Sequence, residues 1–403
     1  MEDPDYPKIY LNRTRFLLNL LNNPDRNMDF VHITGTAGKG SVSNLTQSIL
    51  MASGQKNVGL FTSPYVTTSI EKIKVDKKFI APDEFADLVE ELKPYIDRAY
   101  LESPFGGPSF FEILFCLAIV YFAKKKCKYV VLEVACGGRY DATNVIEKSL
   151  VSAITNIDYD HMNALGNTLE KIAWEKIGIV KCKSSFLTTE KRPGLLKMFR
   201  TECKKLSTRF QQIKCMSDNS NEALASAIAK QLGISSQIIK LGITEAVQLP
   251  ARFEILETKP LLIVDGAHNV IKMKNTVQKL KSQKFANLSL VIGISNDKQI
   301  DKITKVIAPK AKHIFVTRFQ SERRKTADPI ILYNLAKRYS NAGSIVEMTL
   351  DPKQALMKAR TVAGPKDAIL VTGSFFLAGE LRQLWYPEEW ILRRRQSVEN
   401  ILK

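Results

Sequence analysis

Phe30-Val31-His32-Ile33-Thr34-Gly35-Thr36-Ala37-Gly38-Lys39-Gly40-Ser41 runs from an apolar strand through glycines and a lysine into a helical pattern. Glycine lets the backbone turn tightly and aim N–H groups outward. A helix that starts there adds its positive end, and the Lys39 ammonium can bridge β and γ phosphates. The strict phosphate-loop pattern is G-x-x-x-x-G-K-[ST]. Ile33 stands at its first glycine and Gly40 at its magnesium-binding hydroxyl. Two readings stay open: a glycine-rich turn of no special role, or a variant loop that takes its metal ligands from other segments.

Outward from this stretch, apolar runs of strand length alternate with helical patterns. Strands are predicted at 30–34, 58–62, 129–134 and 151–157, with helices at 41–53 and 110–125. Continuous apolar strands separated by helices predict a parallel sheet covered on both faces. The pattern loosens between 183 and 248. There, 207–216 reads as short, less buried strands and 221–232 as a helix stopped by Gly233. A second series follows, with strands at 261–264, 288–292, 313–316, 344–348 and 368–371. Five strands with their crossovers make a doubly wound domain of usual size. The fold class is α/β: an N-terminal P-loop-type parallel-sheet domain over 1–250 and a smaller, Rossmann-like doubly wound domain over 251–403. Pro250 interrupts the chain at that boundary.

The chain has 403 residues, 45% of them hydrophobic and 25% charged, the balance of a water-soluble globular protein. No apolar stretch has the length of a membrane span. The N-terminal segment lacks the basic-then-apolar order of a secretory signal, so a cytoplasmic protein is expected. Lys plus Arg number 59 against 41 Asp plus Glu, a formal charge of +18. Such a surface draws anions, including phosphorylated and carboxylated small molecules. Basic residues interleaved with aromatics, as in single-strand binders, are not seen, so no nucleic-acid partner is expected. The cysteines form no C-x-x-C pair and the histidines no metal-spaced pair, which reads as reduced thiols.

A loop that ends in Gly40 needs metal ligands from elsewhere. Phe61-Thr62-Ser63-Pro64, Leu132-Glu133-Val134 and Asn156-Ile157-Asp158-Tyr159-Asp160-His161 each follow an apolar strand. The carboxyl ends of parallel strands share one edge, where ligands bind. Glu133 and Asp160 are thus expected near the phosphates. Taken singly, Ser63 reads as a turn residue and His161 as a loop cap. With the phosphate loop, the joint pattern favours a metal site.

The T-G-T-x-G-K-G-S segment resembles the ATP loop of the Mur ligase superfamily, in particular the folylpolyglutamate and dihydrofolate synthases. T-S-P at 62–64, L-E-V-x-x-G-G-R-x-D-A-T-N at 132–144 and I-D-x-D-H at 157–161 follow in the order that family has. The resemblance implies an ATP site at Gly35, Thr36, Gly38, Lys39, Gly40 and Ser41, with Lys39 catalytic. It implies Mg2+ ligands at Ser63, Glu133 and His161. Trp174-Glu175-Lys176-Ile177-Gly178-Ile179 resembles the family's E-K-x-G-I, which implies that Lys176 is carbamylated, holds a second Mg2+ ion and is catalytic. L-P-A-R-F-E at 249–254 resembles the linker whose arginine, here Arg252, reaches the ATP phosphates. Asp265-Gly266-Ala267-His268-Asn269 resembles D-G-A-H-N, implying Asp265 at the nucleotide and His268 as catalytic on the amino-acid side. Asn269 reads as a helix N-cap. Ser374 matches a serine near the incoming glutamate. Phe110 and Phe111 match a segment on the folate side, although such a pair is more often core. Departures from the family pattern are Ala37, Tyr65, Ala135-Cys136 and Ala251.

The activity implied is an ATP-dependent ligase that adds L-glutamate to a folate or pteroate through an acyl phosphate. A monomer without membrane or nucleic-acid partners is expected. Two alternatives stay open: a Mur-type amide ligase for another carboxylate, and a basic P-loop-like ATPase associated with nucleic acid. The UDP-sugar Mur ligases usually carry an additional N-terminal domain. The phosphate loop begins only about 30 residues into this chain, which speaks against that group.

Overall fold

A computed structural model describes residues 8–215, 219–321 and 324–396. The chain divides into two compact units. The first ends at Val247 and the second begins at Gln248, with Val66–Thr68 grouping with the second.

The first unit holds β1 (Asp29–Thr34), β2 (Gly59–Phe61), β3 (Ile73–Val75), β4 (Lys78–Phe79), β5 (Tyr129–Glu133), β6 (Val151–Ile154), β7 (Ser185–Thr188) and β8 (Arg209–Gln212). Their order across the sheet is β4-β3-β2-β5-β1-β6-β7-β8. From β2 to β8 the neighbours are parallel, with β1 between β5 and β6. β3 and β4 extend one edge antiparallel, which the parallel-sheet expectation did not include. β1, β5, β6 and β7 are almost wholly buried, the pattern of central strands covered on both faces. β7 falls in the stretch that reads as loosened, because four residues between polar flanks carry little periodic signal. β8 alternates between exposed and half-buried residues, as 207–216 predicts; Met216 lies outside the described residues.

The helix Lys39–Ala52 packs through Val42, Ile49 and Leu50 against Leu224, Ile228 and Ile239. Gly242, on the helix Ser236–Glu245, lets two backbones meet: a Cβ there would lie 2.5 Å from Ile49 Cα. Gly242→Ala is expected to force these helices apart and lower stability by about 1–3 kcal/mol, read as a shift of the urea midpoint. An unchanged midpoint would contradict this packing.

The second unit holds β9 (Glu254–Thr258), β10 (Leu261–Val264), β11 (Leu288–Ile292), β12 (His313–Val316), β13 (Ile345–Met348) and β14 (Ala368–Thr372). The order is β13-β12-β11-β14-β10-β9. All pairs are parallel except β9 with β10. The five expected strands are present, and β9 is a sixth. Its apolar pair Ile255-Leu256 is flanked by Glu254, Glu257 and Thr258, so it does not resemble the continuous runs beside it and escapes a search for them. No helix among the described residues is long and apolar enough to cross a membrane.

Candidate active site

Gly35 and Gly38 both have positive φ, 146° and 86°. A Cβ on Gly35 would lie 1.8 Å from Thr155 Oγ1, and one on Gly38 2.3 Å from Asn221 Oδ1. Both positions therefore require glycine. The segment just beyond β6 braces the loop. Thr36 N–H donates to Asn156 O at 3.0 Å, and Ala37 N–H to Asn156 Oδ1 at 3.1 Å. Thr155 Oγ1 and Asn156 Nδ2 both donate to Ala37 O. The Thr36 hydroxyl donates to Asp158 O and accepts from Asp158 N–H. Gly38 caps the helix Lys39–Ala52, so Gly40 and Ser41 lie in its first turn. That turn offers N–H groups that have no partner within a helix, which suits an anion.

Two ammonium groups meet at the head of this loop. Lys39 Nζ donates to Gly35 O at 3.0 Å, and Lys176 Nζ to the same oxygen at 3.2 Å. Lys176 is only 4% exposed. Burial and the adjacent Lys39 charge lower its pKa from 10.5 to about 8. The two lysines are distant in the chain, and the turn after β5 joins their elements. Thr34 Oγ1 donates to Gly137 O at 2.6 Å, and Asn144 Nδ2 donates to Gly178 O at 3.0 Å. Asp141 organises that turn by accepting from the N–H groups of Ala135, Cys136 and Thr143 and from the Thr143 hydroxyl. Burial raises the Asp141 pKa against these bonds. The Thr143 proton goes to Asp141, so Thr143 Oγ1 accepts from His32 Nε2–H at 2.9 Å. Burial and Lys181 keep His32 neutral.

Among the expected metal ligands, Ser63 and Glu133 are brought together. Ser63 N–H donates to Glu133 Oε2 at 3.0 Å. Glu133, the last residue of β5, is 2% exposed, and that N–H is the partner the structure gives it. A buried carboxylate held by one amide is expensive unless a cation compensates it, so the site fits a divalent ion. His161 has φ 50° and opens the short helix Met162–Leu165. Its ring Nε2 lies 3.9 Å from Asp160 Oδ2. Asp160 acts to raise the Lys176 pKa against the larger effect of burial, which places it near that ammonium. Among the described residues no group of three His, Cys, Asp or Glu side chains converges as a metal cluster. The structure pairs Ser63 with Glu133, and His161 with Asp160.

Phe110 and Phe111 begin the helix Phe110–Lys124, which Ser109 and Glu112 cap reciprocally. Arg13 clamps Glu112 at 2.7 and 3.1 Å. Phe110 is 54% exposed. Phe111 packs on Phe61 at 5.9 Å, and Lys72 Nζ lies 5.1 Å from its ring. Phe111 is thus partly core, while Phe110 presents its ring to solvent.

In the second unit, Arg252, His268 and Ser374 gather about Phe375. The Arg252 guanidinium lies 4.8 Å from that ring, and the His268 ring 5.4 Å from it. Ser374 Oγ caps the helix Phe375–Arg382 by accepting from Phe376 N–H. A carbonyl can only accept, so His268 Nδ1 carries the proton it shares with Gly266 O at 2.8 Å. Its Nε2 then accepts from Lys272 Nζ at 3.0 Å. Asp265 accepts from Ala267 N–H and the Thr276 hydroxyl, and burial raises its pKa. Asn269 caps the helix Val270–Lys281, as expected. Ala251, where the family pattern has glycine, takes a positive φ of 52°. Sequence reading missed Asp141, Asn156 and Lys272 as site organisers. The D-A-T run after Tyr140, with Asp at a helix N-cap, was the available signal for Asp141.

Residues 251–375 match the family description of the Mur ligase glutamate ligase domain. The chain is 31% identical to a dihydrofolate synthase/folylpolyglutamate synthase of Bacillus subtilis, over 93% of this chain and 94% of that protein. A folylpolyglutamate synthase structure from Thermotoga maritima superposes with a TM-score of 0.79 at 33% identity, covering 94% of this chain and 95% of that one. One from Mycobacterium tuberculosis, complexed with ADP and AMPPCP, gives 0.85 at 25% identity, covering 93% and 95%. The chain therefore belongs to the folylpolyglutamate synthase and dihydrofolate synthase family of the Mur ligase superfamily.

Proposed function

We propose that this protein is an ATP-dependent ligase that joins the amine of L-glutamate to a carboxylate of a folate, of dihydropteroate, or of both. The observation that carries this reading is Lys39 on a glycine-braced loop that opens a helix N-terminus, with Lys39 Nζ on Gly35 O. A lysine charge and first-turn N–H groups on one loop fit a polyphosphate. Similarity to glutamate-adding enzymes along nearly the whole chain supplies the acceptor chemistry.

The acceptor carboxylate attacks the γ-phosphorus of ATP, ADP leaves, and an acyl phosphate forms. The glutamate amine, after losing a proton, attacks the acyl carbon and expels inorganic phosphate. Lys39 and the first-turn N–H groups hold the phosphates and offset charge on the transferring group. Ser63, Glu133, His161 and a carbamylated Lys176 would hold one or two Mg2+ ions. Magnesium, when bound, neutralises phosphate charge. Lys176 suits carbamylation because its lowered pKa leaves a usable neutral fraction to attack carbon dioxide. Arg252 matches phosphate oxygens through its two-pronged donor geometry. His268 Nε2 is the acceptor nitrogen of its ring and is engaged by Lys272 Nζ, which an incoming ammonium would have to displace to shed a proton there. Phe110 offers a flat exposed ring for the pterin or aminobenzoate, and Ser374 a hydroxyl for glutamate.

The test is incubation with ATP, Mg2+, radiolabelled glutamate and either dihydropteroate or tetrahydrofolate. Label incorporated in step with ADP release is expected with at least one acceptor. No incorporation with either would overturn the reading and favour a different carboxylate.

A further inference from the structure

Beyond the end of β7, Glu190 and Arg192 grip the segment that braces the phosphate loop. Glu190 is buried, and its Oε2 accepts from Ile157 N–H at 3.0 Å. Arg192 binds both carboxylate oxygens of Glu190, at 2.8 Å each, and its Nη2 also donates to Ile157 O. The amide N–H of Ile157 and its carbonyl are therefore held by one carboxylate–guanidinium pair. Gln212 Nε2, at the end of β8, donates to Glu190 O, and Thr189 Oγ1 donates to Thr155 O. Burial opposes the Glu190 charge, yet the bonds from Arg192 hold its carboxyl below the usual range.

The two residues flanking Ile157 face the phosphate loop. Asn156 bonds Thr36 and Ala37, and Asp158 bonds Thr36. The same segment continues to His161. Thus 156–158 is held by the phosphate loop through its first and last residues and by Glu190–Arg192 through its middle one. Hydrogen bonds are directional and those to charged groups are the strong ones, so this pair fixes the Ile157 peptide in place.

We propose that Glu190 and Arg192 are positioning residues for nucleotide binding, acting through Ile157 on the loop that carries Gly35 to Lys39. This rests on the reading of that loop as the ATP site. Loosening the pair frees 156–158, so Thr36 and Ala37 lose their fixed partners. The loop must then be ordered by the nucleotide itself, which weakens nucleotide affinity. Neither residue needs to touch the nucleotide.

The full chain is tested as R192A, R192K and E190Q, with K39A as reference. Affinity for a fluorescent ADP analogue is measured by titration, alongside KM for ATP, glutamate and the pteroate acceptor. R192A should weaken the analogue and raise KM for ATP by roughly ten-fold, the loss of a charged hydrogen bond, with the other two KM values unchanged. R192K should recover part of the loss. A merely structural role would instead lower thermal stability or the active fraction and leave every KM and the analogue affinity at wild-type values; that result overturns the proposal. E190Q keeps an oxygen for Ile157 N–H, and it carries the test if R192A does not fold: wild-type affinity there is equally fatal. If K39A binds the analogue as wild type does, the ATP-site reading itself has failed, whatever the pair does.

Discussion

Lys39→Ala should lower turnover by about a thousand-fold while the protein stays folded. Lys39 begins a helix whose buried face is made by Val42, Ile49 and Leu50, so the substitution removes no core contact. Gly35 O keeps Lys176 as a donor, so no buried carbonyl is left without one. What disappears is a charge aimed at a group that gains charge separation as the phosphoryl moves. Loss of the Lys39 charge also removes one of the influences that depress Lys176, whose pKa should rise from about 8. Steady-state rates and a thermal melt check this together. Turnover within ten-fold of wild type, with an unchanged melt, would remove Lys39 from the chemistry.

Lys176→Met should abolish turnover and make the fold more stable at neutral pH. The Lys176 pKa is about 8 in the folded protein, against an ordinary value of 10.5 for the unfolded chain. Below pH 8 the lysine is protonated in both states, so folding bears the full penalty of a buried ammonium. Between pH 8 and 10.5 the folded protein releases the proton first, and stability rises with pH. Above 10.5 the penalty is gone. The shift corresponds to on the order of 3 kcal/mol below pH 8. Met fills the same stem without the charge, and the lost bond to Gly35 O takes back about 1 kcal/mol. Urea melts in carbon dioxide-free buffer should therefore show a gain near pH 7 that shrinks toward pH 10. Bicarbonate should raise the activity of the wild type and leave the variant silent. A destabilised variant at pH 7 would count against the buried-ammonium reading, and a wild type indifferent to bicarbonate would count against carbamylation of Lys176. Stability given up at a reactive lysine is a usual trade between fold and function.

Several site elements are written locally. The capping box Ser109 to Glu112, the Asn269 cap, and the glycines at Gly35 and Gly38 depend on residues a few positions apart. Their chemistry is visible in a short window. Glu190 is different. Its partner Ile157 is distant in the chain, and nothing near Glu190 marks it as more than a polar residue after a strand. Asp265 reads as a nucleotide residue by resemblance, while its Oδ1 is engaged by Ala267 and Thr276 of its own unit. Lys272 carries no motif, yet its Nζ faces His268 Nε2.

By itself the sequence determined the alternation of buried strands and helices, and with it two α/β units and the strand-to-helix phosphate loop. These follow from apolar periodicity and from the glycines, which act over a few residues. Tertiary structure alone decided that Lys39 and Lys176 share one carbonyl, that Glu133 is buried against Ser63 N–H, and that β3, β4 and β9 complete the sheet edges. Those outcomes depend on which strands lie side by side. Strand order is set by burial summed over the whole sheet, and no local run of residues encodes it.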